Sequence, residues 1–194
     1  MQTDFDSSKS SDQELVSATL KDRHSFALII DRYQAPLKRY ILRLGCADKN
    51  DVEDVLQETF LKCYVNLNSY DSDLKFSSWL YRIAHNETIN FFRKRKSRPK
   101  PVTQEESLEI FEKIAEENNF FDDLLKESDA KERYNALNHL EEKCRSTIVL
   151  RYFEGKNYSE ISDILKIPEG TVATNINRGK KKLNEMLLSK RTSI

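Results

Sequence analysis

Residues 157–183 read NYSEISDILKIPEGTVATNINRGKKKL, and the organisation of the chain follows from how this stretch is parsed. Asn157 with Glu160 three residues on is a capping-box pattern that opens a helix. Ile161, Ile164 and Leu165 give that helix an apolar side. Lys166-Ile167-Pro168-Glu169 interrupts it, because proline lacks the N–H and clashes with a continuing helix. The second helix divides by face. Val172, Ile176, Gly179, Leu183 and Leu187 recur every three or four residues on one side. Thr171, Asn175, Arg178 and Lys182 follow i, i+4, i+7, i+11 on the other, with Thr174 and Lys181 beside them. Helix, tight turn, then a helix with an apolar back and a polar, basic front is the form of a helix-turn-helix. Small polar groups at its start can enter a major groove, and the later Arg and Lys can reach flanking phosphates. Read without a ligand, the same pattern is an ordinary helical hairpin. Just upstream, Leu137, Leu140, Cys144, Ile148 and Tyr152 predict one more helix, which Gly155 ends.

The whole composition agrees with helices. Gly and Pro number four each in 194 residues, too few for the turns of a many-stranded sandwich or barrel. An all-α fold of two small domains is expected. No apolar run approaches the roughly 18–20 residues that span a bilayer, so no membrane insertion is expected. The polar, acidic start MQTDFDSSKSSDQE does not read as a secretory signal. Cys46, Cys63 and Cys144 form no CxxC, and His24, His85 and His139 stand apart from one another. No phosphate-binding, metalloprotease or nucleophile-elbow motif occurs. No catalytic site, metal or cofactor is expected, and a reducing cytoplasm fits the thiols.

Lys plus Arg equal Asp plus Glu at 32 each, a balance that by itself argues against a simple nucleic-acid binder. The charges are segregated, however. Residues 1–25, a tail and the start of the first helix, carry 3 basic against 5 acidic groups. Residues 26–98 carry 13 against 9, residues 99–130 carry 3 against 10, and residues 131–194 carry 13 against 8. Two basic domains thus flank an acidic linker that opens with Pro99 and Pro101. Ile110, Phe111 and Ile114 leave open a short helix within it. Such a linker could also shield the two basic faces when the chain is free, in which case domain spacing would depend on salt.

In the first basic block, Phe26, Ile29, Ile30, Tyr33, Leu37, Tyr40, Ile41 and Leu44 predict a helix stopped by Gly45. Asn50 with Glu53 suggests the cap of the next, whose stripe is Val52, Val55, Leu56, Thr59, Phe60 and Cys63. Its other face carries Asp51, Asp54, Gln57 and Glu58, which read as a solvated face or as a docking ridge. After the loop NSYDSDLKF, Ser77 or Ser78 could cap a third helix. Trp79, Arg82, Asn86, Asn90 and Arg93 share one of its sides and run into Arg93-Lys94-Arg95-Lys96. With Tyr70, Phe76 and Tyr81 nearby, that side offers charge for phosphates, amides for base edges and rings for stacking.

Taken together, DVEDVLQETFLKCY, KFSSWLYRIAHNETINFFRKRK and YSEISDILKIPEGTVATNINRGKKKL resemble the motifs of the extracytoplasmic-function (ECF) sigma factors of bacteria. These are sigma-seventy family members carrying only regions two and four, and the resemblance spans residues 12–98 and 130–188. It implies a bacterial transcription initiation factor, not an enzyme, that binds RNA polymerase core, directs it to specific promoters and helps melt the minus-ten element. By resemblance, Asp51, Asp54, Gln57 and Glu58 dock on the β′ clamp helices, and region four meets the β flap. Ser69, Tyr70, Asp71, Lys75, Phe76, Trp79, Arg82, Asn86, Asn90, Arg93, Lys94 and Arg95 meet the minus-ten DNA. Thr171, Val172, Thr174, Asn175, Arg178, Lys181 and Lys182 meet the minus-thirty-five duplex. An anti-sigma factor is the expected regulatory partner. Lys166, Ala173 and Asn175 depart from the family pattern, where a turn glycine and basic residues are usual, so promoter sequence does not carry over. A stand-alone helix-turn-helix regulator and a purely protein-binding decoy are the alternative classes.

Overall fold

The structure, a computed structural model, describes residues 10–46, 48–96 and 135–191, without the side chains of 96 and 187–191. The acidic linker, its possible helix around Ile110 and the core role expected of Leu187 lie outside the described residues or side chains. The order is α1 (Asp12–Lys21), a 3-10 turn (Arg23–Ser25), α2 (Phe26–Arg43), α3 (Lys49–Asn66), a second 3-10 turn (Leu67–Ser69) and α4 (Phe76–Lys96). The C-terminal unit holds a single helical turn at 135–138, α5 (Glu142–Ile148), a π-helical turn (Val149–Phe153), α6 (Tyr158–Leu165) and α7 (Glu169–Arg191). No strand occurs among the described residues, and no helix among them is long and apolar enough to cross a membrane.

The N-terminal unit is built on α2, α3 and α4, whose stripes meet through Ile29, Leu37, Ile41, Val52, Leu56, Leu80 and Ala84, all buried. Thr59 and Thr88 also lie inside; each hydroxyl donates to the carbonyl four residues back, at 2.7 Å, so neither is left unpaired. Helix α2 passes through Pro36 and ends where Gly45 takes φ +103°, a conformation that side chains disfavour. A Cβ there would also sit 2.5 Å from Nη1 of Arg145, so the tip of that side chain would have to shift.

Two predicted caps are replaced. The start of α3 is capped by Asp48, whose Oδ1 accepts from the N–H of Asn50 and Asp51, and not by Asn50. Helix α4 already begins at Phe76, so neither Ser77 nor Ser78 caps it. Ser77 instead accepts a hydrogen bond from Lys156, and Ser78 is buried.

The C-terminal unit packs α7 against α5 and α6 through Ile148, Ile161, Ile164, Val172, Ile176 and Leu183. Gly179 lets α5 and α7 approach, because a Cβ there would lie 2.8 Å from Ile148. The single helix predicted from 137 to 154 is broken twice. Arg145 takes the carbonyls of Asn138 and Leu140 (3.1 and 3.0 Å), which closes off the first turn before α5 starts. The other end widens into the π turn. The two units also meet: α4 packs against α6, and α2 against the π turn.

Candidate nucleic-acid interface

The capping box at Asn157 and Glu160 is formed in both directions, each bond 2.9 Å. Burial opposes ionisation of Glu160, but the Asn157 N–H together with Lys75 and Lys156 holds its carboxyl below the usual range. The turn between α6 and α7 puts Lys166 in the left-handed region, φ 53° and ψ 47°, and Ser162 donates across it to the carbonyl of Ile167. From this turn α7 presents Thr171, Thr174, Arg178, Lys181 and Lys182 to solvent.

Two residues assigned to that front are on the other side. Val172 is fully buried, as its apolar spacing requires, and Asn175 is only 7% exposed. At 100° per residue, Asn175 is the position of its row nearest to the buried Val172 and Gly179. Its Nδ2 finds no hydrogen-bond partner among the described residues.

In the N-terminal unit the acidic ridge separates into two parts. Asp54, Gln57 and Glu58 are exposed. Asp51 is part-buried and accepts from Nη1 of Arg95, so it joins the start of α3 to the end of α4. Sequence reading missed how the exposed face continues: Leu61 and Val65 follow Asp54 and Glu58 at helical steps and remain 53% and 66% exposed. Their positions outside the Val52–Cys63 stripe were the available signal.

The loop before α4 is self-braced. Tyr70 Oη donates to the carbonyl of Leu74, and Asp71 accepts from the Asp73 N–H at 3.0 Å. Ser69 donates to the Asn66 carbonyl. Beside the loop lies a cleft of about 310 Å³, lined by Ser11, Asp12 and Gln13 of the α1 start and by Ser72–Ser77 with Tyr70. Asp12 is itself fixed by Arg32 (2.8 Å) and the Tyr33 hydroxyl (2.5 Å). Lys75 leans away from its own unit onto Glu160, 3.1 Å.

The rings expected to stack bases are part of the core in this arrangement. Phe76 is 2% and Trp79 9% exposed, in a cluster with Tyr33 and Tyr70 at centroid distances of 5.3–5.8 Å, and Tyr81 is buried against Tyr40. Trp79 lies on the margin of α4 that turns toward Phe76, which is why spacing alone placed it outside. Among the other α4 residues, Asn86, Arg93 and Lys94 are exposed, while Arg82 and Asn90 are half-buried. Arg95 is held by Asp51 and lies over the Phe91 ring.

All three cysteines are buried free thiols. Burial pushes Cys46 and Cys63 up to about 12, against thiolate chemistry. No group of His, Cys, Asp and Glu among the described residues is arranged to hold a metal.

Two family models match the chain: Sigma-70 region 2 over residues 29–98 and Sigma-70, region 4 over residues 133–183. The chain is 35% identical over 170 residues to the ECF RNA polymerase sigma factor SigW of Bacillus subtilis, covering 86% of this chain and 90% of that protein. It is 34% identical over 179 residues to the ECF RNA polymerase sigma-E factor of Escherichia coli, covering 89% and 92%. Among solved structures, CnrH in complex with the cytosolic domain of CnrY aligns with a TM-score of 0.69 at 22% identity, over 93% of this chain and 99% of that one. The sigma factor RpoE of Bartonella quintana, in complex with the anti-sigma factor NepR, aligns with a TM-score of 0.64 at 22% identity, over 84% and 96%. At that identity, both describe the fold.

Proposed function

The chain belongs to the ECF sigma factors of the sigma-70 family, and from that membership we propose how its exposed faces divide the work of initiation. It is an alternative sigma factor, a non-catalytic subunit that directs RNA polymerase core to specific promoters. It acts in the cytoplasm, and an anti-sigma protein is its regulatory partner. Residues 26–98 serve as region two and 131–194 as region four, joined by the acidic linker 99–130.

The observation that carries the assignment is that α3 and α7 each keep an open face on an otherwise packed helical body, while the loop cleft beside α4 is partly taken up by contacts from the C-terminal unit. On α3, Asp54, Gln57 and Glu58, extended by Leu61 and Val65, form a docking face for the polymerase clamp helices. Asp51 positions that face through Arg95. The loop cleft takes an unpaired base of the minus-ten strand, and Arg82, Asn86, Asn90, Arg93 and Lys94 follow its backbone. Phe76 and Trp79 support the cleft from behind. On α7, Thr171 and Thr174 meet base edges of the minus-thirty-five duplex, while Arg178, Lys181 and Lys182 meet phosphates. Val172 and Asn175 hold this helix in place.

Run-off transcription with core polymerase, with and without the chain, on promoters from the same genome tests the reading. Added initiation from a discrete promoter set is the expected result. No added initiation overturns it, and tight duplex binding without polymerase would point to a stand-alone regulator.

A further inference from the structure

The two units are joined by an ion pair more deeply buried than any contact of the proposed DNA faces. Arg43 of α2 donates from Nη1 to Oε1 of Glu154 at 3.0 Å, and the two side chains are only 4% and 5% exposed. The Tyr81 hydroxyl of α4 donates to the other carboxylate oxygen at 2.7 Å. The Arg43 guanidinium lies over the Phe153 ring, 4.7 Å from its centroid. Lys156 completes the seam, its ammonium 4.8 Å from the Tyr81 ring centre and 3.1 Å from the Ser77 hydroxyl. Arg145 crosses in the same direction to the carbonyl of Leu44, 2.7 Å.

We propose that Arg43, Tyr81 and Glu154 form an intramolecular latch that holds region four against the strand-reading end of region two, masking it until polymerase opens the chain. Two residues that line the loop cleft, Lys75 and Ser77, are both held by region four, through Glu160 and Lys156. A single strand entering the cleft must displace those contacts. The masking part of this inference rests on the minus-ten assignment above; the latch itself does not.

The closed form also cannot span a promoter. Elements centred at minus ten and minus thirty-five are about 25 base pairs apart, roughly 85 Å of B-form duplex at ~3.4 Å per step. A folded body of this length has a radius of gyration of roughly 16 Å. The seam must therefore part, and parting it exposes one charge from each unit. A buried pair is little affected by salt, unlike shielding by a charged linker. The pair gives the closure its specificity: only the register that brings Glu154 to both Arg43 and Tyr81 leaves neither charge buried alone.

Small-angle scattering on the full chain tests the latch, comparing wild type with Glu154→Gln, with Arg43→Glu, and with the charge swap Arg43→Glu plus Glu154→Arg. Both single variants should increase the radius of gyration with helicity unchanged, and the swap should reverse much of the increase. Lys156→Ala, a change at the rim of the seam, serves if the core variants fail to fold. Binding of the single non-template minus-ten strand of a promoter selected in run-off assays tests the masking. If about a tenth of the wild-type chain is open, opening variants should bind that strand roughly tenfold more tightly. An unchanged radius in every folded variant overturns the latch. A larger radius with unchanged strand affinity overturns the masking. Failure to find any responsive promoter would count against the sigma assignment instead, and leaves the scattering result standing by itself.

Discussion

Arg95, near the end of α4, hydrogen-bonds Asp51, in the first turn of α3, and so ties the basic end of one helix to the acidic start of another. Each side chain is 21% exposed, between a surface pair and a buried one. A pair of this kind contributes about 0.5–1 kcal/mol. A double-mutant cycle with Asp51→Ala and Arg95→Ala, followed by urea unfolding, should show coupling of that size. Strictly additive effects would mean the pair contributes nothing.

Asp54 and Gln57 are exposed on the same helix, and neither side chain has a hydrogen bond or ion pair among the described residues. Asp54→Ala with Gln57→Ala should leave the unfolding midpoint nearly unchanged while weakening core polymerase binding about tenfold, a loss of more than about 1 kcal/mol that a minority of interface positions reach. Leu61→Ala should weaken it in the same direction, because a 53% exposed leucine on that face adds apolar contact. Unaltered affinity in both variants would move the docking surface elsewhere. Duplex binding through α7 should not respond to any of them.

His85 gives the stability a pH dependence. Burial lowers its pKa from 6.5 to about 4, and its Nδ1 lies 3.1 Å from the hydroxyl of the fully buried Tyr40. The fold thus holds the ring neutral, whereas the unfolded chain protonates it near 6.5. The stabilisation is complete above pH 6.5 and is lost progressively as the pH falls toward 4, by up to about 3 kcal/mol. Chemical unfolding at pH 7.5 and pH 5 should show this loss, and His85→Gln should reduce it. A variant with the same pH slope as wild type would assign the dependence to other groups.

The helical periods of α2, α3, α6 and α7 were legible because each buries one stripe, and Gly45, Pro168 and the Asn157 capping box marked their ends correctly. What sequence could not supply was contact between distant segments. Asp48 outcompetes Asn50 because it lies one residue before the helix, a difference that spacing to Glu53 does not reveal. Asn175 and Trp79 sit at the margins of their polar faces, where burial is decided by what packs alongside, for Trp79 the Tyr70 ring. The Arg43–Glu154 pair joins residues 111 apart, so neither composition nor periodicity marked either one.

Lys166 is the one departure from the family pattern with a backbone consequence that can be measured. It is the only described non-glycine residue with positive φ, and it forms the turn on which the angle between α6 and α7 depends. A side chain in the left-handed region costs roughly 1 kcal/mol, which glycine does not incur. The Lys166 ammonium returns little of that: its contact with Asp163 is 3.8 Å long and well exposed, in the class worth a few tenths. Lys166→Gly should therefore stabilise the C-terminal unit by up to about 0.5 kcal/mol, after allowing for the greater chain entropy of glycine in the unfolded state. Lys166→Ala keeps the Cβ and removes the charge, so it should gain nothing. Thermal unfolding of the three proteins side by side separates the two effects. If alanine stabilises as much as glycine, the lysine charge, and not its backbone conformation, is the source of the strain.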